Sequence, residues 1–353
     1  MNRQIFFFII SIAVIFCGCA GDENEPLPQS SVSRLYVSNA DTDASVMSTI
    51  IFDPADGSTL DKVDKFDTKL PDGNGIVFDP YSGTVFQVSR QAKNIKTFTV
   101  NTNGSLSAKA KTSFIDDGLH SAREIAYDRV RKTLYVASST DSSLYVYVGI
   151  DTIAGLARAS KKLKLNGQPW GIHLENDNLF VVIDQNRVQV QLFENASSLV
   201  VGTINPTKTI NITGARRLHG ITYSSPRDAL ILTDIGEASA SGFKSDGKIY
   251  IIEAALAKFA AQGVAITPTR TIAGISSGLG NPVDVAWDSR AGKDFIYVAE
   301  KANQTIQVFK FSDSGNVSPF RTATLKSSPE AIFLDARSIW IVKSQTFFFT
   351  LIS

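Results

Sequence analysis

One short motif recurs six times along this chain and limits what the chain can fold into. In each copy a short, largely apolar strand ends on an acid or a serine just before a turn. The last residues of successive copies are 49, 47, 49, 64 and 47 positions apart; the copies are Gly75–Asp79, Glu124–Asp128, Gly171–Glu175, Gly220–Ser224, Asp284–Asp288 and Ala331–Asp335. A fixed period of this size indicates a repeat architecture, here a ring of similar sheets.

Each repeat is predicted to contain four strands. A second strand follows the motif after a turn, a third shows period-two alternation, and a more polar fourth is expected at the edge. β-branched and aromatic enrichment with this period favours strands. Second strands are predicted at Leu35–Asn39, Val85–Ser89, Leu134–Ser138, Leu179–Val182, Leu230–Asp234, Ile296–Glu300 and Ile339–Lys343. Four-stranded sheets near a 47-residue period, with no repeated helix, favour a β-propeller.

The number of blades follows from these second strands. Seven of them predict an all-β, seven-bladed propeller of four-stranded antiparallel blades. A six-bladed ring is the alternative, and it would leave residues 339–352 without a sheet. The first repeat lacks an inner strand and the last is incomplete, so we expect pieces of both chain ends to close the ring. The fifth repeat is longer, with a Gly/Ser-rich insertion at Gly236–Gly247 and a predicted helix at Glu253–Ala261.

The start of the chain has the pattern of an export signal. An apolar run of 12 residues, Ile5–Phe16, follows Arg3 and is too short to span a bilayer. Its end, Phe16–Cys19, resembles the lipobox of bacterial lipoproteins. We therefore predict a signal peptide at 1–18, a lipidated Cys19, a flexible tether at 19–33 and a propeller at 34–353. The alternative is an ordinary cleaved signal that leaves Cys19 as a free thiol.

Acidic residues just after the predicted lipidation site give an indication of the cellular location of the protein. Asp22, Glu23 and Glu25 resemble the export tag of some Gram-negative lipoproteins, which implies an outer-membrane or cell-surface, lipid-anchored protein. A random polar linker is the alternative interpretation. No cysteine remains in the predicted propeller, which excludes disulfides and cysteine metal sites there.

Charge indicates no nucleic-acid partner. The whole chain has 35 basic and 34 acidic residues, and removal of residues 1–18 takes away Arg3 alone. Because the charges are balanced and scattered, the sequence shows no basic patch of the kind that binds nucleic acid. It also has no block of basic residues that would indicate binding to an anionic membrane surface. The predicted contact with the membrane is through the lipid anchor only.

Three tetrapeptides resemble those of the lactonase/YVTN and NHL-like propellers: Tyr36–Asn39, Tyr135–Ser138 and Tyr297–Glu300. The resemblance implies a propeller of six or seven blades. It also implies a channel mouth built by the residues entering each inner strand and by the loops after each second strand. Members of this group include enzymes and binding scaffolds, so the fold does not decide the function.

At the implied mouth, polar positions differ from repeat to repeat while their apolar neighbours recur. A structural position is expected to repeat with the unit, so this pattern favours a ligand site; free drift of solvated loop residues is the alternative. The predicted ligand-binding residues are Asn74, Arg123, Glu124, Trp170, Arg217, His219, Asp234, Asp284, Glu300 and Glu330.

Two functions of different class fit this mouth. The first is a non-enzymatic, surface-anchored module that binds a protein or a glycan and needs no cofactor. The alternative is a lactonase-type hydrolase in which carboxylate and amide oxygens hold calcium. Three or more such oxygens converging on one point would favour the hydrolase, whereas acids paired with Arg123, Arg217 and Lys343 would argue against it. A structural envelope protein, with its channel plugged by side chains, is a third hypothesis.

Overall fold

The protein folds as an all-β propeller of six blades around a central channel. The computed structural model describes residues 31–338 except 62, 186, 239–244 and 261–264. Six sheets radiate from the channel, each with four antiparallel strands, and each of the six motif copies lies in the inner strand of one blade. The predicted signal peptide, Cys19 and most of the tether lie outside the described residues.

The strands are numbered in chain order and each blade is given from the channel outwards. Blade 1 takes its outer strands from the start of the described chain and its inner strand from the end. Blade 1 contains β27 (Pro329–Arg337), β1 (Val32–Asn39), β2 (Thr49–Phe52) and β3 (Val63–Phe66). Blade 2 contains β4 (Gly73–Asp79), β5 (Thr84–Ser89), β6 (Asn94–Thr99) and β7 (Thr112–Ile115), and blade 3 contains β8 (Ala122–Asp128), β9 (Thr133–Ser138), β10 (Ser143–Val148) and β12 (Lys161–Lys164).

Blade 4 contains β13 (Gln168–Glu175), β14 (Asn178–Asp184), β15 (Gln189–Phe193) and β17 (Lys208–Ile212). Blade 5 contains β18 (Leu218–Ser224), β19 (Ala229–Asp234), β20 (Lys248–Glu253) and β22 (Arg270–Ala273), and blade 6 contains β23 (Pro282–Asp288), β24 (Phe295–Glu300), β25 (Thr305–Lys310) and β26 (Arg321–Thr324).

The prediction of seven blades is wrong, and the six-bladed alternative is correct. Strand β27 pairs antiparallel with β1, with Leu35 opposite Leu334 and Val37 opposite Ile332. The incomplete first and last repeats therefore form one blade rather than two. The predicted seventh second strand, 339–343, lies outside the described residues.

Three blades carry a short fifth strand at their outer edge. These are β11 (Gly155–Leu156) on blade 2, β16 (Gly202–Thr203) on blade 3 and β21 (Ala265–Ile266) on blade 4. Each comes from a loop of the following blade and pairs in parallel. Pairing of this kind covers the exposed edge of a sheet.

Among the described residues, helical structure is confined to the connections. The predicted helix of the fifth repeat is present as α1 (Ala255–Ala260), packed on the outer part of blades 4 and 5 through Phe259. Short 3-10 turns occur at Ile150–Thr152, Ala196–Ser198, Ser225–Arg227 and Ile275–Ser277. In the part of the chain that the structure describes, no helix has the length and apolar character needed to cross a membrane.

The core consists of six apolar clusters, one between each pair of adjacent blades. Alternation along a strand sends neighbouring side chains to opposite sides of its blade. In β1, Leu35 and Val37 pack towards blade 6, whereas Tyr36 packs towards blade 2 and stacks on Phe78 with ring centres 5.4 Å apart. The period-two pattern of each repeat therefore builds two interfaces at once.

Candidate functional site

Every inner strand contains a β-bulge where it enters the channel. In blade 2 the pairing steps from Gly73 opposite Ser89 to Ile76 opposite Gln87, so the inner strand has one extra residue. The other five blades show the same shift at the same place. A bulge turns side chains away from the regular alternation, and here it forms two successive rings. The upper ring is Asn74, Arg123, Trp170, His219, Val283 and Glu330, and the lower ring is Gly75, Glu124, Gly171, Gly220, Asp284 and Ala331.

The upper ring is held together by stacking. The guanidinium carbon of Arg123 lies 3.8 Å from the centre of the Trp170 ring. Trp170 of blade 4 in turn stacks on His219 of blade 5, with ring centres 3.8 Å apart and an angle of 18° between the ring planes. His219 is buried, and its Nδ1 has no hydrogen-bond partner among the described residues. Burial lowers the pKa of His219, which favours the neutral imidazole.

Ion pairs complete the upper ring. Asp184, at the end of β14, lies 2.7 Å from the Arg217 guanidinium and 3.3 Å from Nε2 of His219. Burial acts to raise the pKa of Asp184, but hydrogen bonds from His219 and Arg217 outweigh it and lower the pKa to about 2. Glu330 is bound by Lys301, and its Oε1 lies 3.8 Å from Arg123. These cations hold the pKa of Glu330 below its ordinary value despite burial.

The carboxylates of Asp234 and Glu300 bind the backbone of loops rather than forming part of the channel rings. Asp234 accepts backbone hydrogen bonds of 2.9 Å from Arg216, Arg217 and Gly236, and one of 3.1 Å from the Tyr250 hydroxyl. Glu300 accepts backbone N–H groups of Gly280, Asn281 and Asn303. Both are the last residues of second strands, so the carboxylates fix the loop that leads into their own blade.

Asn74 is the upper-ring residue of blade 2 and is fully buried. Its amide nitrogen donates to the backbone oxygen of Asp72 at 3.1 Å, and its Oδ1 has no partner among the described residues. Asp72 in turn binds Arg90 through two hydrogen bonds of 2.7 and 3.0 Å. Apart from Asn74 Oδ1 and His219 Nδ1, the polar groups described at the upper face of the channel are paired.

The lower ring holds one acid pair. Glu124 belongs to blade 3 and Asp284 to blade 6, which stand opposite each other in a ring of six, and their side chains are hydrogen-bonded. The other four positions are glycine or alanine. An added Cβ on Gly75 would lie 2.6 Å from the Ile125 nitrogen, and one on Gly220 would lie 2.6 Å from the Asp284 Cα. The ring is so narrow that only the two acids carry longer side chains.

The two acids bind the inner edges of the strands around them. An Oε1 of Glu124 accepts the Ile125 N–H at 2.8 Å, and Oδ2 of Asp284 accepts the Ile332 N–H at 2.7 Å. Burial, more than the neighbouring carboxyl, raises the pKa of Glu124 well above its ordinary value. Burial likewise raises the pKa of Asp284 from 3.8 to about 7. Two carboxyls in this arrangement share a proton.

Below the acid pair the channel widens into a cavity of about 440 Å³. Segments of all six inner strands except the upper ring line it, and the turns after those strands form its rim. Its walls include Tyr127, Tyr223, Trp287 and Phe333, with His173 and Glu175 on one side. The cavity lies within the size range of small-molecule sites, roughly 300–1,000 Å³.

The ten predicted site residues therefore fall into three groups. Asn74, Arg123, Trp170, His219 and Glu330 form the upper ring, with Arg217 attached to it. Glu124 and Asp284 form the floor of the cavity, while Asp234 and Glu300 hold loops. Among the described residues, no three His, Cys, Asp or Glu side chains are grouped to hold a metal ion, and Lys343 lies outside them.

Sequence reasoning missed the cavity walls and the role of Lys301. The walls come from the later positions of the recurring motif, such as Tyr127, Tyr223 and Trp287. The aromatic residue before the final acid or serine in several motif copies was the available signal. Nothing in the sequence marks Lys301 as the partner of Glu330.

Comparison with known proteins shows the fold and no family. No family model matches the chain, and no curated protein matches its sequence. A chain of the nidogen–laminin complex superposes with a TM-score of 0.58 at 14% identity, covering 86% of this chain and 98% of that one. Proteins of Bacteroides fragilis and Bacteroides uniformis, both provisionally named 6-phosphogluconolactonases, superpose with TM-scores of 0.59 at 11% identity; each covers 87% of this chain, with 98% and 100% of their own chains matched. At these identities the similarity concerns the fold alone.

Proposed function

We propose that the protein is a non-enzymatic binding module whose ligand occupies the central channel. The observation that carries this proposal is the cavity of about 440 Å³, which is lined by all six blades and ends at the acid pair. A well-formed concave site with convergent polar groups is a natural place for a small ligand. Entry is from the face that bears the turns after the inner strands, opposite the mouth that sequence analysis favoured.

The state of the upper mouth supports binding over hydrolysis. Hydrolysis needs an acid, base or nucleophile that can reach a substrate. Asp184 and Glu330 are instead paired with cations, and Asp234 and Glu300 are occupied by backbone amides. His219 is buried beneath Trp170. The acids of this mouth are thus committed to partners within the described part of the fold.

A lactonase-type hydrolase is the second candidate, and the names of the two Bacteroides neighbours favour it. Arg123, Arg217 and Lys301 would be the groups for an anionic sugar lactone, since guanidinium and ammonium groups bind such anions. Hydrolysis of 6-phosphogluconolactone by the purified protein, and its loss in Arg217→Ala, would establish this activity against the binding proposal.

Channel binding is tested by blocking the lumen. Thr222 lines the cavity on β18 and is half-buried, so Thr222→Trp places an indole in the lumen. Thr203→Trp, on the exposed outer strand β16, is the matched control. A panel of monosaccharides, disaccharides and small amines is screened by thermal shift. We expect a saturable ligand that raises Tm of the wild type and of the control but not of Thr222→Trp. Ligands that stabilise all three proteins equally would place binding elsewhere.

We further propose that Cys19 carries lipid and anchors the propeller at the outer membrane or cell surface. The support is the sequence Phe16–Cys19 and the acids that follow it. A single acyl chain gives weak binding, so stable anchoring depends on full lipidation. Cell fractionation of Cys19→Ala should move the protein out of the membrane fraction, and an unchanged distribution would refute the anchor.

A further inference from the structure

The floor of the cavity presents hydrogen-bond acceptors in excess of donors. Glu124 accepts N–H groups of Ile125 and Ile76, and Asp284 accepts those of Ile332 and Val285. The two acids also share a hydrogen bond with each other. Each carboxyl offers about four acceptor positions, so both retain capacity on the lumen side. Glu124 keeps part of its surface open to the lumen.

The walls around this floor are acidic and aromatic. Four carboxyl groups line the cavity, and Arg129 is the one guanidinium among its lining residues; the acids are Asp79, Glu124, Glu175 and Asp284. Arg129 lies at the rim, where its Cζ is 3.3 Å from the centre of the Tyr81 ring. Aromatic faces attract cations, and the attraction grows where water is excluded.

We propose that the channel selects a small organic cation whose ammonium group docks on the Glu124–Asp284 pair. This inference rests on the proposed function and names the ligand class for the same cavity. An ammonium supplies three N–H donors and no acceptor, which complements a floor of acceptors. The charge of the ligand replaces the shared proton as the partner of the second carboxylate, and the aromatic walls hold its apolar part.

Binding then displaces a proton. In the empty channel the pair holds one proton between two carboxyl groups. When an alkylammonium binds, its positive charge stabilises both carboxylates, and the shared proton leaves to the buffer. No covalent bond forms, and the ligand keeps its own protons. An ionised group near the pair is Glu330 in the ring above, which is already bound to Lys301 and Arg123.

Titration calorimetry with n-butylammonium, and with n-butanol as a neutral probe of similar shape, tests this inference. Measurements in phosphate and in MOPS, a bulky zwitterionic buffer without a primary ammonium group, count the protons released because the two buffers differ in ionisation enthalpy. We expect saturable binding of butylammonium, release of up to about one proton near neutral pH, and at least about a tenfold weaker affinity in Glu124→Gln. Glu194→Gln, which removes a carboxylate beside Lys208 at the outer edge of blade 4, should bind like wild type.

The outcomes separate this inference from the function on which it rests. Equal affinity for butanol, unchanged affinity in Glu124→Gln, or no saturable binding of butylammonium each overturns the cation site. In those cases a neutral ligand that Thr222→Trp excludes still supports channel binding, whereas loss of all channel ligands refutes both. Circular dichroism checks each variant, and Asp284→Asn supplies the same comparison if Glu124→Gln does not fold.

Discussion

The acid pair should make the stability of the propeller fall as pH rises through neutrality. The folded-state pKa of Asp284 is about 7, against an ordinary value of 3.8. Between these values the folded protein holds a proton that the unfolded chain has released. A group with a raised folded pKa stabilises the fold below its unfolded pKa, and this contribution is lost as pH rises through the folded pKa. Ionised Asp284 would be a buried negative charge beside Glu124.

The size of the effect follows from the shift. One pKa unit corresponds to about 1.36 kcal/mol, so the part of the shift between about pH 5 and about pH 7 corresponds to roughly 3 kcal/mol. Asp184 remains ionised in this range, because its pKa is about 2. Burial lowers the pKa of His219, so its contribution runs in the opposite direction, and the comparison must isolate Asp284.

Asp284→Asn isolates it, because an amide has nearly the same shape and does not titrate. Urea unfolding, followed by tryptophan fluorescence at several pH values from about 5 to about 8, gives the free energy of unfolding by linear extrapolation. We expect the wild type to lose roughly 3 kcal/mol relative to Asp284→Asn across this range. Asp61→Asn, an exposed acid on blade 1, should follow the wild type. Parallel curves for wild type and Asp284→Asn would refute the shared-proton interpretation.

Three further substitutions test the frame around the channel, each by urea unfolding. Gly75→Ala should cost about 1–3 kcal/mol, since the new Cβ would lie 2.6 Å from a backbone nitrogen, while Gly57→Ala, with its nearest atom at 3.4 Å, should cost little. Asp234→Ala should cost about 2–4 kcal/mol because it leaves three backbone N–H groups unpaired; a loss within error would show that water replaces the carboxylate. Tyr36→Ala should cost about 3–5 kcal/mol, because its ring is fully buried against Phe78, and a smaller loss would mean that the closing blade repacks.

The recurring motif predicted the inner strands because two signals coincide in it, a period-two pattern of burial and a turn directly after the strand. Each copy combines period-two burial with a turn, and the six copies lie in the six inner strands. The predicted number of blades was wrong because it was counted from the second strands. The pairing of Leu35 with Leu334 joins the two ends of the chain, and a sequence period does not show which strands at the ends share a sheet.

The convergence of the upper-ring positions was predictable from the sequence, whereas the pairing of their side chains and the cavity below them were not. Positions entering the inner strands do converge, because bulges at the same phase turn them inwards. The partners were beyond the sequence. Arg123 reaches Glu330 two blades away, and Lys301 comes from a loop of blade 6. Such contacts depend on the ring diameter and on side-chain length, neither of which is encoded in a local pattern. Ligand binding by these upper residues remains a prediction.

The contact between the two acids depends on the number of blades in the ring. In a ring of six, blades 3 and 6 face each other directly, so Glu124 and Asp284 point at one another across the axis. In a ring of seven no blade faces another, and two acids would each face a gap between blades. Glycines at 75, 171 and 220 then bring the strands close enough for the carboxyls to meet. The same small residues that narrow the ring therefore create the floor of the cavity, and enlarging any of them should weaken both stability and ligand binding.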